Sequence, residues 1–178
     1  MPRNPQPNVT MSDVNSLQEL LVDEMQDLYH AEKQLVKALP KLARAASNPR
    51  LKKGIEAHLK QTQTHVARLE KAFRELGEKP KAKVCPAMQG LVEEGSEAME
   101  LEAPDAVRDA AIIGAAQRVE HYEIAAYGTA RAFAEKLGED KVARLLQATL
   151  DEEGATNQQL TELAVTVNDD AVASNPEQ

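Results

Sequence analysis

Glu120 and Glu123 stand in a stretch whose spacing otherwise asks for apolar side chains. At ~100° per residue, Ile112, Ala116, Val119, Glu123, Tyr127, Ala130, Ala134 and Leu137 share one helical face, with Glu120 one turn before Glu123 on the same side. A carboxylate removed from water is costly unless something positive meets it. The same pattern recurs along the chain. Glu24 sits inside the stripe Leu17, Leu21, Leu28, Ala31, Leu35, Leu42, with Asp27 at its margin. Glu153 is at the centre of Leu146, Thr149, Leu150, Leu160, Leu163, Ala164, and Asn157 follows one turn later. His58 and His65 flank the stripe Ile55, Leu59, Thr62, Val66, Leu69, Phe73, with Gln61 between them and farther from its centre. Carboxylates gathered in a core raise one another's proton affinity unless a cation neutralises them. Oxygen donors with an imidazole suit iron or manganese, with zinc as a further option. Two irons bridged by carboxylates can cycle between ferrous and ferric states, which permits oxidation of Fe(II) by oxygen or peroxide. The residues suggest ligands, and none is assigned a catalytic role.

Four long helices are needed to bring these side chains together. The apolar content is mostly Ala, Leu and Val, with no Trp, two Phe and three Tyr, and Ala, Leu, Glu, Lys and Gln are strong helix formers. The 178 residues are the size of one domain. Residues 1–15, rich in Pro, Asn and Gln, read as a disordered arm, residues 16–165 as the folded domain, and residues 166–178 as a disordered tail. The first helix starts at Ser16 with Glu19 in capping-box position, and Pro40 predicts a kink or a loosened last turn. The second runs from about 50 to 76 and stops at Gly77. The third begins at Pro104 and Asp105 and closes at Gly138, and the fourth covers about 139 to 165. Short links within each pair predict antiparallel hairpins. Residues 78–103 form a long crossover carrying a short helix with Met88, Leu91, Val92 and Met99 as its contacts. The expected fold is all-α, a ferritin-like four-helix bundle of two antiparallel hairpins joined by that crossover. At ~1.5 Å per residue, the inward polar groups fall within a turn or two of one level.

The net charge of −8 argues against nucleic acid as a partner, since no Lys/Arg surplus exists to displace counterions. No stretch approaches the ~18 apolar residues of a membrane span, and one cysteine makes no internal disulfide, so a cytoplasmic protein is expected. His58 is left open between a satisfied core-edge histidine and a ligand. His30 points off the stripe and reads as solvated, Cys85 as a half-buried filler, the acidic run 93–102 as a wet helix face, and Tyr127 as core packing.

DLYHAEKQLVKALPKLA (27–43), HLKQTQTHVARLE (58–70), RDAAIIGAAQRVEHYEIAAYGTA (108–130) and LLQATLDEEGATNQQLTELA (145–164) resemble the YciE/YciF family of ferritin-like bacterial stress proteins. The resemblance implies a homodimeric bundle with a two-metal site, a link to stress responses and a ferroxidase-like label. It places ligands at Asp27, Gln61, His65, Glu120, Glu123, Glu153 and Asn157, whereas Glu24 enters from the stripe alone. The family often has acids where this chain has Gln61 and Asn157. Ferritins show Glu and His three residues apart on two helices, a spacing no inward pair here has, so no storage cage is implied. The expected function is a stress-response protein binding iron or manganese at a two-metal site and oxidising Fe(II) or consuming peroxide. The alternative is a non-catalytic structural or partner-binding bundle with a degenerate metal site.

Overall fold

The structure is a computed structural model describing residues 14–174, so most of the expected N-terminal arm and the last four residues lie outside it. The described residues form five helices: α1 Leu17–Ala45, α2 Pro49–Glu75, α3 Pro86–Met99, α4 Asp105–Lys136 and α5 Asp140–Ala173. Ser16 caps α1 by accepting from the Glu19 amide at 3.1 Å, and Glu19 reaches back to the amide of Asn15, one residue before the cap. α1 passes Pro40 without ending. α2 and α4 both stop at a glycine with positive φ, Gly77 at 74° and Gly138 at 75°. In each, the amide after the glycine bonds back five residues, Glu78 to the Phe73 carbonyl and Glu139 to that of Ala134. This Schellman closure needs the left-handed conformation glycine supplies, and after Gly138 it turns the chain directly into α5.

α1 packs on α2 and α4, and α5 packs on the same two helices, so every neighbouring pair in the four-helix ring is antiparallel. α3 lies against α1 and α4 on the crossover, which travels the length of the bundle. The core has two apolar ends. One joins Leu21, Met25, Leu28, Leu69, Phe73, Tyr127 and Leu146, and the other joins Leu35, Leu39, Leu51, Ile55, Ile112, Leu160 and Val167. Between them every long helix contributes polar residues that are nonetheless buried: Glu32, His58, Thr62, His65, Glu120, Glu123, Thr149 and Glu153.

One boundary and two side chains differ from the sequence expectation. α5 continues to Ala173 because Val167 repeats the spacing of Leu160 and Leu163 and is buried with them. Cys85 is fully buried rather than half-buried: its thiol accepts from the Met88 amide at 3.3 Å, capping α3, and lies 3.1 Å from Tyr122 Oη. His30 is likewise held in place, since its Nδ1 accepts from the Cys85 amide at 3.1 Å.

The α1–α2 link is fixed from across the bundle by Asp109 of α4. Its carboxylate accepts from the amides of Ser47 at 2.9 Å and Asn48 at 2.6 Å, and the residue is buried. Hydrogen bonds to a charged partner contribute ~1.5–3 kcal/mol each. Asp109→Ala is therefore expected to lower the unfolding free energy in urea titrations by about 3–6 kcal/mol while leaving the polar layer intact.

Candidate metal centre

The polar layer resolves into two adjoining groups. His58, Glu120, Glu123 and Glu153 each offer one ligand atom, all within 4.8 Å of one another, and Glu32, His65 and Glu153 do the same. Glu153 belongs to both. Its Oε1 is 2.9 Å from His65 Nδ1, and its Oε2 is 3.9 Å from His58 Nε2. His58 Nε2 also lies 3.3 Å from Glu120 Oε1, and His65 Nδ1 lies 3.3 Å from Glu32 Oε1. The two histidines are seven residues apart on α2, hence on one face, and the two glutamates of α4 are three apart for the same reason. Dinuclear carboxylate bundles combine four glutamates with two histidines, one histidine on each of two helices. Here the same six donors occur, with both histidines on one helix.

The surroundings orient one half of the layer. Arg68 grips Glu152 with both guanidinium nitrogens, at 3.0 and 3.1 Å, and donates to Thr149 Oγ1 at 2.7 Å. Glu152 in turn accepts from His65 Nε2 at 2.7 Å. This leaves His65 Nδ1 turned inward, the arrangement by which an outer carboxylate fixes the tautomer of a ligating histidine. Tyr127 Oη donates to Glu32 Oε1 at 2.5 Å. His58 has a looser hold, with Thr156 Oγ1 3.4 Å from its Nδ1.

Inside the layer most polar atoms lack a hydrogen bond. Both oxygens of Glu123, Oε2 of Glu32 and of Glu120, and Nε2 of His58 make none within the protein, and the oxygens of Glu153 meet only the ion-pair approaches of the two histidines. An orphaned buried group costs ~1–3 kcal/mol, more when charged, and these converge on a common centre. Four carboxylates balance two divalent cations, so the donor set fits a metal pair. Burial, reinforced by neighbouring carboxylates, holds Glu120 and Glu123 well above the usual carboxylate range. Burial opposes protonation of His65, but Glu153 and Glu32 outweigh it and push its pKa up to about 10. Burial pulls His58 down. For Glu153, burial acts upward, and the two histidines overcome it to leave the carboxyl below its ordinary value.

Of the residues expected from the sequence, the structure gathers His65, Glu120, Glu123 and Glu153, and it adds His58, which had been left open. It does not bring Glu24 and Asp27 to the layer. They lie in a surface recess with Lys83, where Asp27 accepts from Tyr122 Oη. Gln61 is half-buried beside His58. Asn157 accepts from Gln117 at 3.3 Å on the side of the bundle. Glu32 is the buried donor of the layer that the sequence reading missed. Its signal was present: Met25, Glu32 and Leu39 repeat every seven residues between Leu21, Leu28, Leu35 and Leu42, and all of these are buried.

Fold and layer together define a ferritin-like bundle with a buried histidine–glutamate cluster compatible with metal binding. The chain belongs to the YciE/YciF family: the family described as a domain of unknown function (DUF892) matches residues 16–173. Protein YciF of Escherichia coli (strain K12) is 46% identical over 154 residues, which is 86% of this chain and 93% of that protein. The crystal structure of the E. coli stress protein YciF superposes with a TM-score of 0.85 at 44% identity, covering 88% of this chain and 99% of that one. YcfI from Rhodopseudomonas palustris superposes with a TM-score of 0.82 at 45% identity, covering 85% and 96%. A ferritin-like, diiron-carboxylate protein from Bacillus anthracis str. Ames shares the fold at a TM-score of 0.65 and 16% identity, covering 85% and 99%.

The raised proton affinities fix a pH dependence. Above the ordinary histidine value of ~6.5, the folded metal-free protein keeps a proton on His65 that the unfolded chain loses. Stability must then fall as pH rises, by about 1.4 kcal/mol per pH unit for each extra proton held. Thermal melts of metal-free protein from about pH 6.5 to about pH 9 should show this decline, and His65→Gln should flatten it. A melting temperature that rises over that range would contradict the assignment.

Proposed function

We propose that this protein binds two divalent metal ions, iron or manganese, in the layer between its apolar ends, and serves as a ferroxidase-like or peroxide-consuming stress-response protein. The observation that carries the reading is the carboxylate of Glu153, shared between two buried donor groups in which several inward atoms, both oxygens of Glu123 among them, have no hydrogen bond in the protein. Glu32 and His65 would hold one ion, His58, Glu120 and Glu123 the other, and Glu153 would bridge them. Such a pair supplies redox chemistry between the divalent and trivalent states. The protein's own part is to orient the donors through Arg68, Glu152 and Tyr127, and to exclude water with the apolar residues above and below. Zinc suits the same donors but would leave the site redox-silent.

No helix among the described residues is long and apolar enough to cross a membrane, and Cys85 is a buried free thiol. These features support a cytoplasmic setting. Val165 and Val172, seven residues apart and exposed on α5, support self-association as a homodimer.

Elemental analysis after anaerobic reconstitution with Fe(II) or Mn(II) tests the assignment. Close to two ions per chain are expected for the native protein and fewer than one for Glu153→Ala. Saturation to a hundred times the dissociation constant should stabilise the native fold by about 2.7 kcal/mol. Absence of uptake would make the layer a hydrogen-bonded structural feature and leave the bundle without metal chemistry.

A further inference from the structure

A second feature adjoins the polar layer. A cavity of about 270 Å³ opens at the side of the bundle where all five helices contribute to its lining. Its walls are mainly apolar: Leu35, Leu39, Ile55, Leu91, Val119 and Leu160 are representative. At its inner end stand His58 and Glu120, and at its rim Lys37 and Lys41. An engineered cavity of ~150 Å³ already takes up benzene, so this one has room for a short aliphatic chain.

Three observations bear on what enters. The cavity is left open by small residues inside helices, Gly54 on α2 and Gly95 on α3, where an added Cβ would meet nothing within 4 Å. Mid-helix glycine costs ~1 kcal/mol relative to alanine, and here no close contact within the chain requires it. Next, α3 is buried only at Met88. Its Leu91, Val92 and Met99 stay partly exposed along the cavity, incompletely covered by the protein. Finally, Lys37 and Lys41 are exposed, one helical turn apart, and neither forms an ion pair among the described residues. Like charges at that spacing repel by a few tenths of a kcal/mol. On a chain of net charge −8 they make a local positive spot at the mouth of an apolar cavity. The inner end is prepared as well: Glu120 is 2% exposed, and its Oε2 has no partner.

We propose that this cavity is a binding site for an aliphatic monocarboxylate of medium chain length, its hydrocarbon against the apolar walls and its carboxylate at Lys37 and Lys41. The bound chain covers the apolar flank of α3 and closes the side of the bundle at His58 and Glu120. The site borders the metal centre at His58 and Glu120, and titrating both metal-free and metal-loaded protein keeps its test apart from that of the metal centre.

Isothermal titration of the full chain, metal-free and metal-loaded, with decanoate, decanol and decylamine below their aggregation concentrations reads the proposal. Decanoate should bind saturably and more tightly than decanol by about threefold to tenfold, the contribution of two exposed ion pairs, with decylamine weakest. Each methylene removed from decanoate should weaken binding about fourfold. The double variant Lys37→Ala/Lys41→Ala should lose the preference for decanoate and keep the affinity for decanol. Gly95→Leu, which places a side chain in the cavity, should weaken both at least tenfold. Gly90→Leu on the exposed side of the same helix should change neither. No saturable binding, tighter binding of decylamine than of decanoate, or unchanged binding in Gly95→Leu would each overturn the proposal. It would also fall if Gly95→Leu instead altered the sedimentation of a protein that takes up no decanoate, since the cavity face would then be a contact between copies of the chain.

Discussion

A bundle core of this size has to tolerate four carboxylates at one level, and most of the remaining architecture answers that constraint. Glu32, Glu120, Glu123 and Glu153 occupy positions that helical periodicity gives to the core, so they cannot turn outward without taking the adjoining apolar residues with them. The apolar ends hold the helices in register on either side of the layer. Within it, charge is offset by the His65 imidazolium and by the raised proton affinity of Glu120 and Glu123. Metal binding is the same balance with cations in place of those protons, because ligating carboxylates and imidazoles must shed them.

The two halves of the layer are unequally restrained. On the His65 side, a chain of charge-assisted hydrogen bonds runs from Arg68 through Glu152 to the imidazole, and Tyr127 fixes Glu32. Those donors are orientated whether or not an ion is bound. On the His58 side, Glu120 and Glu123 have few such restraints, and the same side borders the apolar cavity. Restrained groups on one side and freer groups next to a cavity on the other make the second half the more adaptable one.

The crossover is secured at its start by His30 and Cys85, which the sequence reading had treated as incidental, together with Tyr122 and Asp27. His30 accepts from the Cys85 amide, the Cys85 thiol caps α3 and meets Tyr122, and Tyr122 donates to Asp27. Asp27 therefore ties the start of α3 to α1 and α4 from outside the layer. The C-terminal half of α3 has no comparable anchor. It leans over the cavity through partly covered Leu91, Val92 and Met99, which is why the cavity exists on this face.

Helix number, the two hairpins, the glycine stops and the long crossover were legible in the sequence, because they follow from local propensity, capping and apolar spacing, which act over a few residues. Glu120, Glu123 and Glu153 were legible for the same reason, each being a charge inside an unbroken apolar stripe. The end of α5 was missed because Val167 extends the stripe past polar neighbours, and only its burial against the other helices makes that extension count. Glu32 carried a heptad signal on α1, but its selection over Glu24 and Asp27, and the burial of His58, needed the packed helices. Several residues of α1 fall near its apolar face, and direction and depth together decide which meets the polar layer. Both are set by how four helices rotate and pack their ridges together, so the pairing of Glu153 with two histidines from another helix belongs to the tertiary structure alone.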